Sequence, residues 1–186
     1  MEPVPAIIPS ISDPPFQLNL RHFFIVASLL GIVLLTACGG GSEQAARDFE
    51  VVQFDGSIFR LSQETESHAA VVNFWYPSCP PCREEMPAIE AAWQELKDEP
   101  VRILALYVPQ GFDSEQDARD FVEEFGLTFS FATDRLARIA EAYELEYFPK
   151  TYFIDMDGKI VATHISVLTK EDIVQQVRAL IGGPAS

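Results

Sequence analysis

Two cysteines three positions apart, Cys79 and Cys82, stand where an apolar run, Val71-Val72-Asn73-Phe74-Trp75, gives way to a proline-rich turn and then to a helical pattern. A Cys-x-x-Cys pair at the first turn of a helix can close a short disulfide, and the helix start makes its two members unequal. Cys79 falls at the cap, where its sulfur lies near unpaired backbone N–H groups and the positive end of the helix dipole, so its thiolate is favoured and it is the expected nucleophile. Cys82, one turn further in, is expected to be more shielded and to attack the mixed disulfide that Cys79 forms with a substrate. The chemistry implied is thiol–disulfide exchange.

This stretch resembles the active site of the thioredoxin superfamily, and within it the membrane-anchored or periplasmic thioredoxin-like proteins of the TlpA and ResA kind. The matching residues are Asn73-Phe74-Trp75, Cys79-Pro80-Pro81-Cys82, and then the basic Arg83, the acidic Glu85 and Pro87. The resemblance extends from about Phe49 to Ile181. It implies an α/β, thioredoxin-like fold: a central mixed β-sheet flanked by helices, with an N-terminal β-hairpin and a helix-containing insertion over residues 114–143. It implies catalysis without a cofactor or a metal.

Four features refine the expected chemistry. By resemblance, Pro149 in Phe148-Pro149-Lys150-Thr151 is the cis-proline that faces the cysteines, and residue 148 offers its backbone to an extended substrate. Phe148 is bulkier than the Val, Thr or Ile expected there, so substrate preference does not carry over from relatives. Asn73 stands where thioredoxin itself has a buried Asp, and Glu85, three residues beyond Cys82 on the same helical face, matches the acidic residue of the TlpA and ResA kind. Glu85 is therefore the expected proton acceptor or donor for Cys82, with a pKa that burial would raise. Pro80 and Pro81 lack N–H groups and so remove two donors that could stabilise a Cys79 thiolate, which predicts a moderately lowered thiol pKa and a reducing couple. Trp75 and Tyr76 match aromatic residues on the substrate-facing rim of relatives; for Trp75, packing in the core is the other reading.

The elements that must position these residues follow from the pattern. Residues 49–54 and 58–61 flank the turn signal Asp55-Gly56 and predict a two-stranded ribbon. Residues 69–75 predict the first core strand, and Cys82, Glu85, Met86, Ile89, Trp93 and Leu96 form the buried stripe of the helix behind it, with a kink expected at Pro87. Residues 101–107 predict a parallel strand covered on both faces. Ser114 with Asp117 starts a helix that Gly126 ends, residues 128–131 predict an edge strand, and Leu136, Ile139, Ala140 and Tyr143 predict another helix. Residues 151–155 and 159–164 form a hairpin, and Thr169 with Asp172 opens a last amphipathic helix.

The chain has 186 residues, 48% apolar, enough for one domain and a short appendage. Its net charge of −15 and lack of a basic cluster exclude nucleic acid as a partner. At the amino end, Arg21 and His22 precede an apolar run over residues 23–35, short for a membrane span but right for a signal-peptide core. Leu35-Thr36-Ala37-Cys38 then resembles a bacterial lipobox, which implies lipidation of Cys38 after removal of residues 1–37; the alternative is an uncleaved single span. Residues 1–20 carry prolines and no basic residue, so translation is expected to start nearer Arg21. Residues 38–48 are expected to form a flexible tether, and residues 49–183 the folded domain.

Other chemistries fit less well. Zinc needs four ligands, and no second cysteine pair exists. A peroxiredoxin motif counted from Pro77 would need Thr at 81 and Cys at 84, where Pro81 and Glu84 stand. The sequence therefore reads as a monomeric, lipid-anchored thiol–disulfide oxidoreductase on the extracytoplasmic face of a bacterial membrane. Its expected partners are disulfide-containing exported proteins, with apocytochrome c implied by resemblance, and a membrane-embedded electron donor. The alternatives are an oxidant of exported thiols, or a copper-binding, metallochaperone-like protein of the same fold in which His164 would serve as a ligand.

Overall fold

The structure, a computed structural model, describes residues 44–182. Eight strands are present among them: β1 (Gln44–Ala45), β2 (Glu50–Val52), β3 (Ile58–Arg60), β4 (Ala69–Trp75), β5 (Val101–Tyr107), β6 (Ser130–Thr133), β7 (Lys150–Ile154) and β8 (Lys159–Ile165). The helices are α1 (Leu61–Glu64), α2 (Pro80–Leu96), α3 (Glu115–Glu124), α4 (Arg138–Ala142) and α5 (Lys170–Ile181). Six strands form one mixed sheet in the order β1-β8-β7-β4-β5-β6, and β2 pairs with β3 as a separate ribbon. This is the α/β, thioredoxin-like architecture expected. Among the described residues no helix is long and apolar enough to cross a membrane.

The central strand shows why the apolar run folds as it does. β4 pairs in parallel with β5 and antiparallel with β7, so all seven of its residues are buried. Alternation divides them between two cores. Ala69, Val71 and Trp75 face the layer that holds Met86, Ile89 and Leu96 of α2 and Ile173 and Val177 of α5. Ala70, Val72 and Phe74 face the other side, closed by Phe49, Val51 and Phe59 around the ribbon, Leu61 of α1, and Ala140 and Tyr143. Each fully buried large apolar side chain contributes about 1.5–3 kcal/mol, so this strand is the best-supported part of the sheet. Parity also sends Asn73, a polar residue, into the α2 layer.

The β4-α2-β5 crossover is parallel whereas β7 runs the other way. The C-terminal ends of β4 and β5 and the N-terminal start of β7 therefore meet at one end of the sheet.

The helix caps are read from local chemistry and stand as expected. Ser114 and Asp117 form a reciprocal capping box at α3, and Thr169 and Asp172 form another at α5. Pro87 lies inside α2 without ending it.

Three expectations are corrected. Residues 44–47 are not part of a free tether, because Gln44 and Ala45 pair with Ile160 and Lys159, Ala46 N donates to Gly158 O, and Tyr143 Oη donates to Arg47 O. The fold thus includes residues 44–48 as well as those from 49 on; a two-residue strand shows no period. The strand expected at residues 128–131 is Ser130–Thr133 instead, since the Glu90 carboxylate takes Thr128 N and Thr128 Oγ1, each at 2.7 Å, and so holds the chain before the strand starts. The helix expected through Leu136 is broken into a 3-10 turn, Arg135–Ala137, and the short α4. Asp134 causes this: its carboxylate accepts from Ile139 N at 3.0 Å and Ala140 N at 2.7 Å. The chain reaches those positions through two left-handed residues, Leu136 and Ala137, and Leu136 is left exposed.

Candidate active site

Cys79 and Cys82 are joined as a disulfide, with Cα atoms 5.2 Å apart. Cys79 is the N-cap of α2, in an extended conformation, and its Sγ accepts a hydrogen bond from Cys82 N at 3.2 Å. Because Pro80 and Pro81 fill the first two helical positions, that N–H is the first the helix can offer. The expected contrast in shielding is nearly absent in this state: Cys79 is 2% exposed and Cys82 0%.

The turn that carries Cys79 is moored by the segment between β5 and β6. Asp113, just before α3, accepts from Ser78 N at 2.9 Å and from Ser78 Oγ at 2.7 Å. Arg83 donates to Pro77 O at 3.2 Å, and its guanidinium lies over the Phe121 ring of α3 at 4.6 Å. The sequence held no signal for these contacts, since Ser78 and Asp113 are 35 residues apart.

Beneath the cysteines lies a buried polar cluster. Glu85, one turn beyond Cys82, is fully buried. Asn73 Nδ2 donates to Glu85 Oε1 at 2.7 Å and to Thr151 Oγ1 at 2.9 Å, and Leu168 N donates to Glu85 Oε2 at 3.2 Å. The β4–β7 register sets Asn73 opposite Thr151, which is how a strand residue and a helix residue come to share a partner. Burial pushes the Glu85 carboxyl up from 4.5 to about 7, against the opposing pull of the hydrogen bonds from Asn73 and Leu168. Thr151 and Leu168 were missed as members of the site. Asn73 Oδ1 is buried with no hydrogen-bond partner.

On the β7 side, the Phe148–Pro149 peptide bond is cis, and the Phe148 ring meets Tyr76 edge-on, with centroids 5.3 Å apart. Pro149 is buried, and its carbonyl accepts from Ser166 N at 3.2 Å. Tyr76 and Phe148 are both half-buried, as a rim requires.

Trp75 is a correction. It is 0% exposed, and its ring packs on Phe121 at 5.3 Å, Phe131 at 5.9 Å and Tyr107 at 6.4 Å between centroids. The strand extends through residue 75, so parity sends this side chain into the core, and only the following residue, Tyr76, reaches the rim. Trp75 therefore is not a substrate contact.

Cys38 and the signal-peptide segment lie outside the described residues. Among the described residues, no three or more His, Cys, Asp or Glu side chains are grouped so as to hold a metal ion.

Residues 42–163 match the model of the AhpC/TSA family. The chain is similar to the thiol-disulfide oxidoreductase ResA of Geobacillus thermodenitrificans, at 32% identity over 145 residues, covering 78% of this chain and 80% of the relative. It is similar to ResA of Halalkalibacterium halodurans at 32% identity over 172 residues, covering 89% of this chain and 94% of the relative. Among solved structures, a thiol:disulfide interchange protein of the thioredoxin family from Chlorobium tepidum superposes with a TM-score of 0.67 at 20% identity, covering 77% of this chain and 100% of that one.

Proposed function

Because the chain belongs to the AhpC/TSA family and is a thioredoxin-like thiol–disulfide oxidoreductase acting on disulfide-containing proteins, we propose that it works as a reductase of exported proteins. In this reading the Cys79 thiolate attacks one sulfur of a substrate disulfide and forms a mixed disulfide, expelling the other substrate sulfur as a thiolate. Cys82 then attacks Cys79 Sγ, which releases the second substrate sulfur as a thiolate and closes the Cys79–Cys82 bond. Two electrons pass from the dithiol to the substrate, and the two expelled thiolates take up protons. Glu85 accepts the Cys82 proton as the resolving thiolate forms. A carboxyl that titrates at about 7 can perform that transfer in either direction near neutral pH.

The observation that carries the reducing direction is the sparse cap: Cys82 N is the one N–H bonded to Cys79 Sγ, across two prolines that have none. A thiolate with few donors is weakly stabilised, and the reduced form of the couple is correspondingly a good electron donor. The substrate enters along the Phe148–Pro149 edge as an extended strand. Peroxide chemistry does not carry over from the family's wider membership, because Pro81 and Glu84 occupy the positions that a peroxidatic Thr and Cys would need.

The setting completes the reading: the protein is a monomer held at the extracytoplasmic face of a bacterial membrane by lipid on Cys38, and a membrane-embedded donor reduces it again. The support is the lipobox-like Leu35-Thr36-Ala37-Cys38 directly after the apolar run. Apocytochrome c is one substrate class compatible with the site.

The deciding experiment equilibrates the protein in thiol redox buffers. A Cys79–Cys82 potential at or below about −220 mV is the expected result, and a value near about −120 mV would make the protein an oxidant instead.

A further inference from the structure

The segment between β5 and α3 holds one ring where a substrate contact would be useful. Phe112 is fully exposed. Single exposed apolar residues are ordinary on protein surfaces, but this one stands on a loop bonded to the turn that carries Cys79. Its neighbour Asp113 accepts from Ser78 N at 2.9 Å and Ser78 Oγ at 2.7 Å, and Ser78 directly precedes Cys79. Asp113 is itself held from behind: Tyr107 Oη donates to its carbonyl at 2.7 Å, and its own N–H donates to Gln110 O at 3.1 Å. Gly111, at a φ of +58°, supplies the left-handed residue of that turn. The ring is therefore presented to water by a loop tied to the cysteine turn.

Topology puts the loop of Phe112 on the opposite side of β4 from a segment that carries another exposed aromatic group. β4 leads into the cysteine turn, and its neighbours in the sheet are β7 on one side and β5 on the other. Tyr147, which is exposed, and Phe148, which is half-buried, precede β7; Phe112 follows β5 at the same end of the sheet. The loops on either side of β4 in the sheet order thus each carry an exposed aromatic side chain.

We propose that Phe112 is a specificity-determining residue that covers an aromatic or branched aliphatic side chain next to the disulfide of a polypeptide substrate. The inference rests on the reading that Cys79 and Cys82 exchange disulfides with polypeptides, and it adds the chemistry by which one polypeptide is preferred. Phe112 takes no part in the bond changes. Covering an apolar side chain removes surface from water on both partners, and an aromatic pair adds to that, so the preference is on the order of two- to tenfold.

The test compares two disulfide-bonded peptides of equal length and charge, one with Phe beside its cysteine and one with Ser there. The readout is the ratio of their kcat/KM values with the reduced protein. Phe112→Ala should lower the ratio about two- to tenfold, and Phe112→Leu should keep most of it. Asp113→Ala, which frees the loop but leaves the ring, should lower it as well. Met156→Ala, an exposed apolar residue in the turn between β7 and β8 at the other end of the sheet, should leave it at the original value. An unchanged ratio in Phe112→Ala overturns the inference. An equal loss on both peptides overturns it too, because the ring would then only shape the turn. If the unaltered protein reduces neither peptide, polypeptide disulfide exchange itself fails, and the inference falls with it.

Discussion

The floor beneath the cysteine pair is made mostly of regular structure, and the rim around it is made of loops. The floor consists of Asn73 and Thr151, paired across β4 and β7, Glu85 on α2 and the backbone of Leu168, all within the core. The rim consists of Tyr76, Phe148 and Phe112, tied down through Ser78, Asp113 and Arg83 at or near the surface. A buried carboxyl surrounded by fixed donors has its proton affinity set by the fold, whereas an exposed ring on a loop can change without disturbing the core. The contrast separates how the reaction is driven from how a partner is chosen.

The largest expected effect tests whether the two cysteines are unequal at all. Cys82→Ser should abolish turnover and leave Cys79 trapped in a mixed disulfide with a peptide substrate, seen as a covalent adduct by intact-mass measurement; Cys79→Ser should abolish turnover without the adduct. If both variants trap substrate equally, the cap gives Cys79 no advantage.

Next comes Trp75→Ala, which asks where the floor ends. A fully buried Trp in contact with three other rings should cost about 3–5 kcal/mol in denaturant unfolding, whereas Tyr76→Ala, one residue later on the rim, should cost less than about 1.5 kcal/mol. Similar losses at both positions would erase the boundary drawn between them.

Glu85→Gln sharpens the electrostatic side of the comparison. The folded-state carboxyl sits at about 7, above its ordinary 4.5, so between these values the native state holds a proton that the unfolded chain has released. The stability this contributes is fully present below the lower value and is lost as pH rises through about 7. The unaltered protein should therefore lose up to ~3 kcal/mol relative to Glu85→Gln between about pH 4.5 and 8, measured by unfolding at both ends. Gln keeps an acceptor for Leu168 N, and the unpaired Asn73 Oδ1 can take the new amide donor by a flip of Asn73. Turnover in the variant should fall about a hundredfold and lose any inflection near neutral pH.

The smallest effect lies at the mooring of the rim. Ser78→Ala removes one hydrogen bond to Asp113 and keeps the backbone one, so about 0.5–1.5 kcal/mol of stability should be lost. Peptide selectivity should change more than reduction of a small-molecule disulfide. The reverse would place Asp113 with the floor.

Much of what depends on near neighbours along the chain was legible in the sequence, although the turn that Asp134 makes with Ile139 and Ala140 was not. The proline-spaced cysteine pair at a helix start, the capping boxes of Ser114 with Asp117 and Thr169 with Asp172, and the doubly covered β4 are all set within a few residues, by hydrogen bonds and side-chain period. Resemblance added the cis bond before Pro149 and the choice of Glu85 as the acidic residue near the cysteines. Tertiary structure decided the rest. Whether Trp75 belongs to the rim or the core depends on which residue ends β4. The partners of Glu85 are Asn73 on β4 and a loop residue 83 positions away, and the placement of Phe112 depends on a bond from Asp113 back to Ser78. Local pattern fixes a residue's conformation and the face it occupies, but the identity of what lies opposite is set only when distant strands take their register and close the core around it.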